Sequence, residues 1–132
     1  INAGYGLYTL GAGVEILGGD GCKGFTTPFA TLHRFQGWAD KFLTTPVDGI
    51  DHPYLTARLA RQRWEPLDML AMVATYHRYA AERGSLRYGT EADLQAQGKW
   101  RRLTATLKYA DYAADRLLTD TTKWWLQLEY VW

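Results

Sequence analysis

The sequence predicts an all-β fold, an antiparallel segment of about six strands from a transmembrane β-barrel, and three observations predict it. Apolar and polar side chains alternate with a strict period of two along the second half of the chain. The connections between these strands alternate between long and short, as in outer-membrane barrels, whose loops are long on one side and tight on the other. Aromatic residues make up 14% of the chain, with six Trp and nine Tyr, and rings with an apolar body and a polar tip gather where an apolar medium meets water.

The first strand is expected near residues 4–18, with Tyr8, Leu10, Ala12, Val14 and Ile16 on one face and Thr9, Gly11, Gly13 and Glu15 on the other. A long outer loop, 19–51, follows. Thr27 and Pro28 can cap a short helix in it, because Phe29, Leu32, Phe35, Ala39 and Phe42 recur at roughly helical spacing. Strands near 52–62 and 69–79 carry Leu55, Ala57 and Leu59, then Leu70, Met72, Ala74 and Tyr76, on their apolar faces. The clearest alternation is at 89–100, where Ala92, Leu94, Ala96, Gly98 and Trp100 oppose Glu91, Asp93, Gln95, Gln97 and Lys99. A tight turn at Arg101 and Arg102 leads to 103–112, and a final strand at 122–132 sets Trp124, Leu126, Leu128, Tyr130 and Trp132 against Lys123, Gln127 and Glu129.

Six strands cannot close a membrane barrel, whose smallest bacterial single-chain forms have about eight. Open edges in lipid would leave backbone groups unpaired at a cost of several kcal/mol each. The chain also starts at Ile1 without Met or an apolar signal region, so it reads as the C-terminal part of one barrel domain, with the missing strands N-terminal to it.

Composition narrows the function. With 47% hydrophobic and 22% charged residues in 132, the chain is neither disordered nor a coiled coil. A net charge of +1 gives no basic field for nucleic acid. No run of about eighteen apolar residues marks a membrane helix, but spanning strands need only about 9–11 residues. Cys22 is alone and can form no internal disulfide. His33, His52 and His77 have no metal-ligand spacing, Ser85 sits in no nucleophile elbow, and the glycine pairs at 4, 6 and 11, 13 open no dinucleotide motif. No enzyme, cofactor or metal is therefore expected. Asp111, Asp115 and Asp120 read as solvated carboxylates, since no calcium-loop spacing accompanies them.

The polar faces supply candidate transport residues. Arg58, Lys99, Lys108 and Lys123 would line an aqueous lumen and favour anions, sharing it with Glu15, Glu91, Asp93 and Glu129; cross-strand pairing of these charges is the simpler expectation for any one of them. Phe29, His33, Arg34, Phe35, Trp38 and Asp40 would form a constriction where the long loop packs into the barrel mouth, or else an external loop packed on its neighbours. Trp64, Trp100, Trp124, Tyr130 and Trp132 would form membrane belts, with Tyr79, Tyr88 and Tyr112 adding to the belt at the long-loop end.

The stretches Gly13-Val-Glu-Ile-Leu-Gly-Gly-Asp20, Phe25-Thr-Thr-Pro-Phe-Ala-Thr-Leu-His33, Gly37-Trp-Ala-Asp-Lys-Phe-Leu-Thr-Thr-Pro46 and Leu107-Lys-Tyr-Ala-Asp-Tyr112 resemble the alginate-export family of outer-membrane barrels. The resemblance covers nearly the whole chain. It implies a monomeric barrel of about eighteen strands, of which this is the last third, passing anionic polysaccharide such as alginate or smaller hydrophilic solutes. The terminal strand, with Trp124, Leu126, Leu128, Tyr130 and Trp132, also resembles the signal read by the barrel-assembly machinery. The expected partners are thus the outer-membrane bilayer, that machinery and a hydrophilic sugar. The competing expectation is a soluble barrel that turns its apolar faces inward around a small ligand; aromatic belts at both strand ends argue against it.

Overall fold

The computed structural model describes residues 2–5, 7–24 and 37–132, the first four of these as backbone. Six long antiparallel strands form one open sheet, with a four-residue strand on its edge. The strands are β1 (Asn2–Tyr5), β2 (Tyr8–Leu17), β3 (Ile50–Trp64), β4 (Leu67–Ala80), β5 (Arg87–Trp100), β6 (Leu103–Ala114) and β7 (Thr121–Tyr130). Each pairs with its chain neighbours, so sheet order is chain order. No helix occurs among the described residues.

Period-two patterning explains the register. Leu10, Ala57, Ala74, Leu94, Tyr109 and Trp124 are cross-strand partners in one row, and one residue along lies the row Gly11, Thr56, Thr75, Asp93, Ala110 and Lys123. A slip of one residue would exchange these rows between faces, so the pattern holds the pairing. One face of the whole sheet is apolar and exposed: Leu10 is 59%, Leu55 58%, Leu94 49% and Leu126 69% accessible. A stable sheet does not leave such a face to water, so it requires an apolar medium or partner.

The connections sort by end. Leu7 and residues 65–66 and 101–102 turn at one end, while 18–49, 81–86 and 115–120 connect strands at the other. The short β5–β6 turn is tied down by Asp68, whose carboxylate accepts the Arg101 N–H at 2.5 Å and holds that residue at φ 53.

Two expectations are corrected. The segment near 4–18 is not one strand; it folds back on itself as β1 and β2, with Tyr5 paired to Tyr8. Glycines at 4 and 6 break the apolar run that would have carried a single strand. The connection after β2 is shorter than 19–51 at its far end, because Ile50 and Asp51 already pair with Leu17 and Ile16. A helix capped at Thr27 falls on residues outside those described, and within 37–42 the chain makes turns.

Candidate functional site on the polar face

The second face of the sheet is polar, and residues 37–49 fold onto it. Two carboxylates on β5 hold the start of this segment: Glu91 Oε1 accepts the Ala39 N–H at 2.6 Å, and Asp93 Oδ2 accepts the Trp38 N–H at 3.1 Å. Both carboxylates are buried. Backbone hydrogen bonds of this kind contribute about 0.5–1.5 kcal/mol each. On β7, Lys123 Nζ donates to Asp40 Oδ2 at 3.0 Å, forming an ion pair. From β6, Lys108 Nζ stands 5.2 Å from the centroid of the Trp38 ring.

Phe42 supplies the apolar anchor. Its ring centroid lies 4.5 Å from that of Tyr79, 5.9 Å from Tyr88 and 6.0 Å from Tyr112, and all four side chains are buried. The tyrosines are tethered too: Tyr88 Oη donates to the Gly49 carbonyl at 2.9 Å, and Tyr112 Oη to the Tyr88 carbonyl at 3.0 Å. These three tyrosines therefore do not extend the aromatic belt at the long-loop end. They point to the polar face, because each has a buried partner there that a lipid-facing ring would lack.

Gly37 makes the approach possible. Its φ of +78° is one that side chains disfavour, and a Cβ there would meet Glu91 Oε2 and Tyr79 Oη at 2.5 Å. Gly37→Ala is expected to cost about 1–3 kcal/mol from the left-handed backbone and overpacking together, measured as a lower urea midpoint for the folded protein. An unchanged midpoint would show that the segment does not seat this closely.

A chain of polar contacts crosses four strands beneath the segment. Glu15 Oε2 on β2 lies 3.5 Å from His52 Nδ1 on β3, His52 Nε2 lies 2.7 Å from His77 Nδ1 on β4, and His77 Nε2 lies 3.3 Å from Asp93 Oδ2 on β5. Where His52 Nε2 meets His77 Nδ1, one nitrogen donates and the other accepts. Asp93 thus joins the histidine chain to the Trp38 backbone. Tyr79 Oη, Glu91 Oε2 and Asp93 Oδ1 are buried with no hydrogen-bond partner among the described residues, a cost that the accepted N–H bonds offset only in part. Beyond the sheet, the exposed Asp20 accepts the N–H groups of Lys23 at 2.6 Å and Cys22 at 2.7 Å, and these bonds hold its carboxyl below the ordinary carboxylate range.

The four basic residues share this face but form no ring. Arg58 and Lys108 stand in one cross-strand row, Lys123 one row nearer the long-loop end, and Lys99 near the β5–β6 turn. Lys108 and Lys123 engage the folded-in segment, while Arg58 and Lys99 take no charged partner among the described residues. Cross-strand pairing of lysines with Glu91 and Asp93 is not what occurs; the carboxylates accept backbone donors from the segment instead. Trp38 and Asp40 lie against the polar face, whereas Phe29, His33, Arg34 and Phe35 fall outside the described residues. A small cavity of about 90 Å³ beside the segment is lined by Trp38, Thr106, Lys108, Trp125 and Gln127.

The residues expected in the belts are exposed at strand ends. Trp100 is 50%, Trp124 64%, Tyr130 56% and Trp132 98% accessible. Trp124 packs on Tyr109 with ring centroids 4.4 Å apart, and Trp64 lies under the Arg61 guanidinium near the β3–β4 turn.

Sequence reasoning recognised Glu91 and Asp93 only as polar-face charges and read His52 and His77 as ordinary histidines. Their spacing carries no signal, because their partners lie on other strands and in the segment before β3. No family model matches the chain, and neither curated proteins nor solved structures give a match.

Proposed function

We propose that the chain is part of an outer-membrane β-barrel of the alginate-export type, a pore that passes hydrophilic solutes, anionic polysaccharide among them, by selective passage rather than by chemistry. The observation that carries this reading is the division of one sheet into an exposed apolar face and a polar face onto which residues 37–49 fold. The apolar face fits lipid, the polar face an aqueous lumen, and the folded-in segment a constriction. Strands of 10 to 15 residues are long enough to cross a bilayer when tilted. The free edges of β1 and β7 call for further strands, since unpaired backbone is not tolerated in lipid. Arg58 and Lys99, without charged partners among the described residues, are the groups that would meet a passing anion.

Single-channel conductance of the full-length parent in a planar bilayer tests the reading. Stepwise openings blocked by a uronic-acid oligomer are expected. Openings without block would leave a general porin, and failure to insert would remove the membrane assignment.

One observation favours a second reading, a soluble barrel with its apolar face around a small ligand: an open groove of about 750 Å³ runs over that face between Tyr8, Leu59, Met72, Leu94, Leu107 and Trp124. The segment anchored by buried carboxylates on the opposite face weighs against it, because a soluble barrel of that kind would present that face to bulk water.

A further inference from the structure

The arginines at the long-loop end have no part in the polar-face site. Arg83, Arg87 and Arg116 line one cleft of about 520 Å³ between the 81–86 and 115–120 connections, with Gly84, Ser85, Leu86 and Asp115. Three guanidiniums there face one lining carboxylate. Arg87 Nε pairs with Asp115 Oδ2 at 3.4 Å while both side chains stay about half exposed, a geometry that contributes little by itself. Arg83 reaches the Gly19 carbonyl at 3.4 Å and lies in the field of Asp20. Arg116 has no charged partner among the described residues.

The register gives the cleft its place. Along β4 the apolar face runs Met72, Ala74, Tyr76, Arg78 and Ala80, and Ala80 pairs with Arg87. Arg87 therefore stands on the apolar side of the sheet, at the edge where that face ends, with Arg78 just below it. Tyr76, Tyr109 and Trp124 mark the border beneath. Apolar groups accompany the charges: Leu86 lines the cleft, and Leu118, 48% exposed, lies in the same connection as Arg116.

We propose that Arg83, Arg87 and Arg116 hold the phosphate group of a membrane-lipid headgroup against the upper edge of the apolar face. A phosphomonoester carries about −1.5 to −2 charges and three strong acceptor oxygens, and guanidinium forks match those oxygens in pairs. The adjoining leucines and the apolar face below them suit acyl chains attached to that phosphate, which a free anion would not use. The inference rests on the reading of the apolar face as lipid-facing.

The test is flotation of the full chain with vesicles of phosphatidylcholine, alone or doped with phosphatidic acid or phosphatidylglycerol, beside an Arg83→Gln/Arg87→Gln/Arg116→Gln variant. Preference for phosphatidic acid is expected, falling roughly fivefold for each arginine removed. Arg116→Gln alone, at a residue without a charged partner among those described, gives the same direction without risk to the fold. Equal binding to all three compositions, or a preference that survives the triple variant, would overturn the proposal. Competition by inorganic phosphate at the headgroup concentration would overturn the lipid assignment. Absence of binding to every vesicle would sink the membrane reading itself, which separates the two failures.

Discussion

Replacing Glu91 and Asp93 together with alanine is expected to release residues 37–42 from the polar face and to weaken the sheet, which loses the Phe42 packing with them. Two hydrogen bonds from the Trp38 and Ala39 N–H groups disappear, a loss of about 1–3 kcal/mol for the seated segment. Against this, each carboxylate keeps one buried oxygen without a partner, and alanine removes that cost at the same time. Limited proteolysis should cut at Lys41 in the variant and not in the parent, and the urea midpoint should fall. Glu91→Gln/Asp93→Asn keeps an acceptor oxygen on each side chain and should fall between parent and alanine variant. A segment that stays protected in the alanine variant would show that Phe42 and the Lys123–Asp40 pair hold it alone.

Phe42→Ala is the second large effect. The ring is 2% exposed and packs on Tyr79, Tyr88 and Tyr112, so its removal leaves a cavity bordered by three buried aromatic rings. Such truncations cost about 3–5 kcal/mol. Here the loss reaches the sheet, because the tyrosines it supports also tie the ends of β5 and β6 to Gly49 and to each other. The urea midpoint should fall and the segment should become cleavable in the same variant. Phe42→Leu, which keeps most of the volume, should restore much of the midpoint. A normal midpoint for Phe42→Ala would mean that the cluster repacks without it.

The division of the sheet into faces was legible because it is local. A residue such as Leu94 or Gln95 declares its side by its parity alone, and the breaks at Arg101 and Arg102 end the pattern where the chain turns. The hairpin of β1 and β2 was hidden, since Tyr8 to Ile16 alternate well and the preceding glycines read equally as a weak strand. The tyrosines at 79, 88 and 112 were placed in the wrong environment for a related reason. A ring at a strand end suits an interface by composition, and only its partner across space tells which face it takes.

What the sequence determined by itself was therefore the sheet: away from the bulge in β5, period-two alternation assigns the strand residues to a face, because successive side chains on a strand point to opposite sides. What only the tertiary structure decided was the occupation of the polar face. The bonds that seat Trp38, Ala39 and Asp40 join residues 55, 52 and 83 positions apart, and no local periodicity encodes a contact at that separation. It arises when neighbouring strands bring Glu91, Asp93 and Lys123 onto one surface, where buried carboxylates have no solvent to accept from and take the backbone donors of the folded-in segment instead.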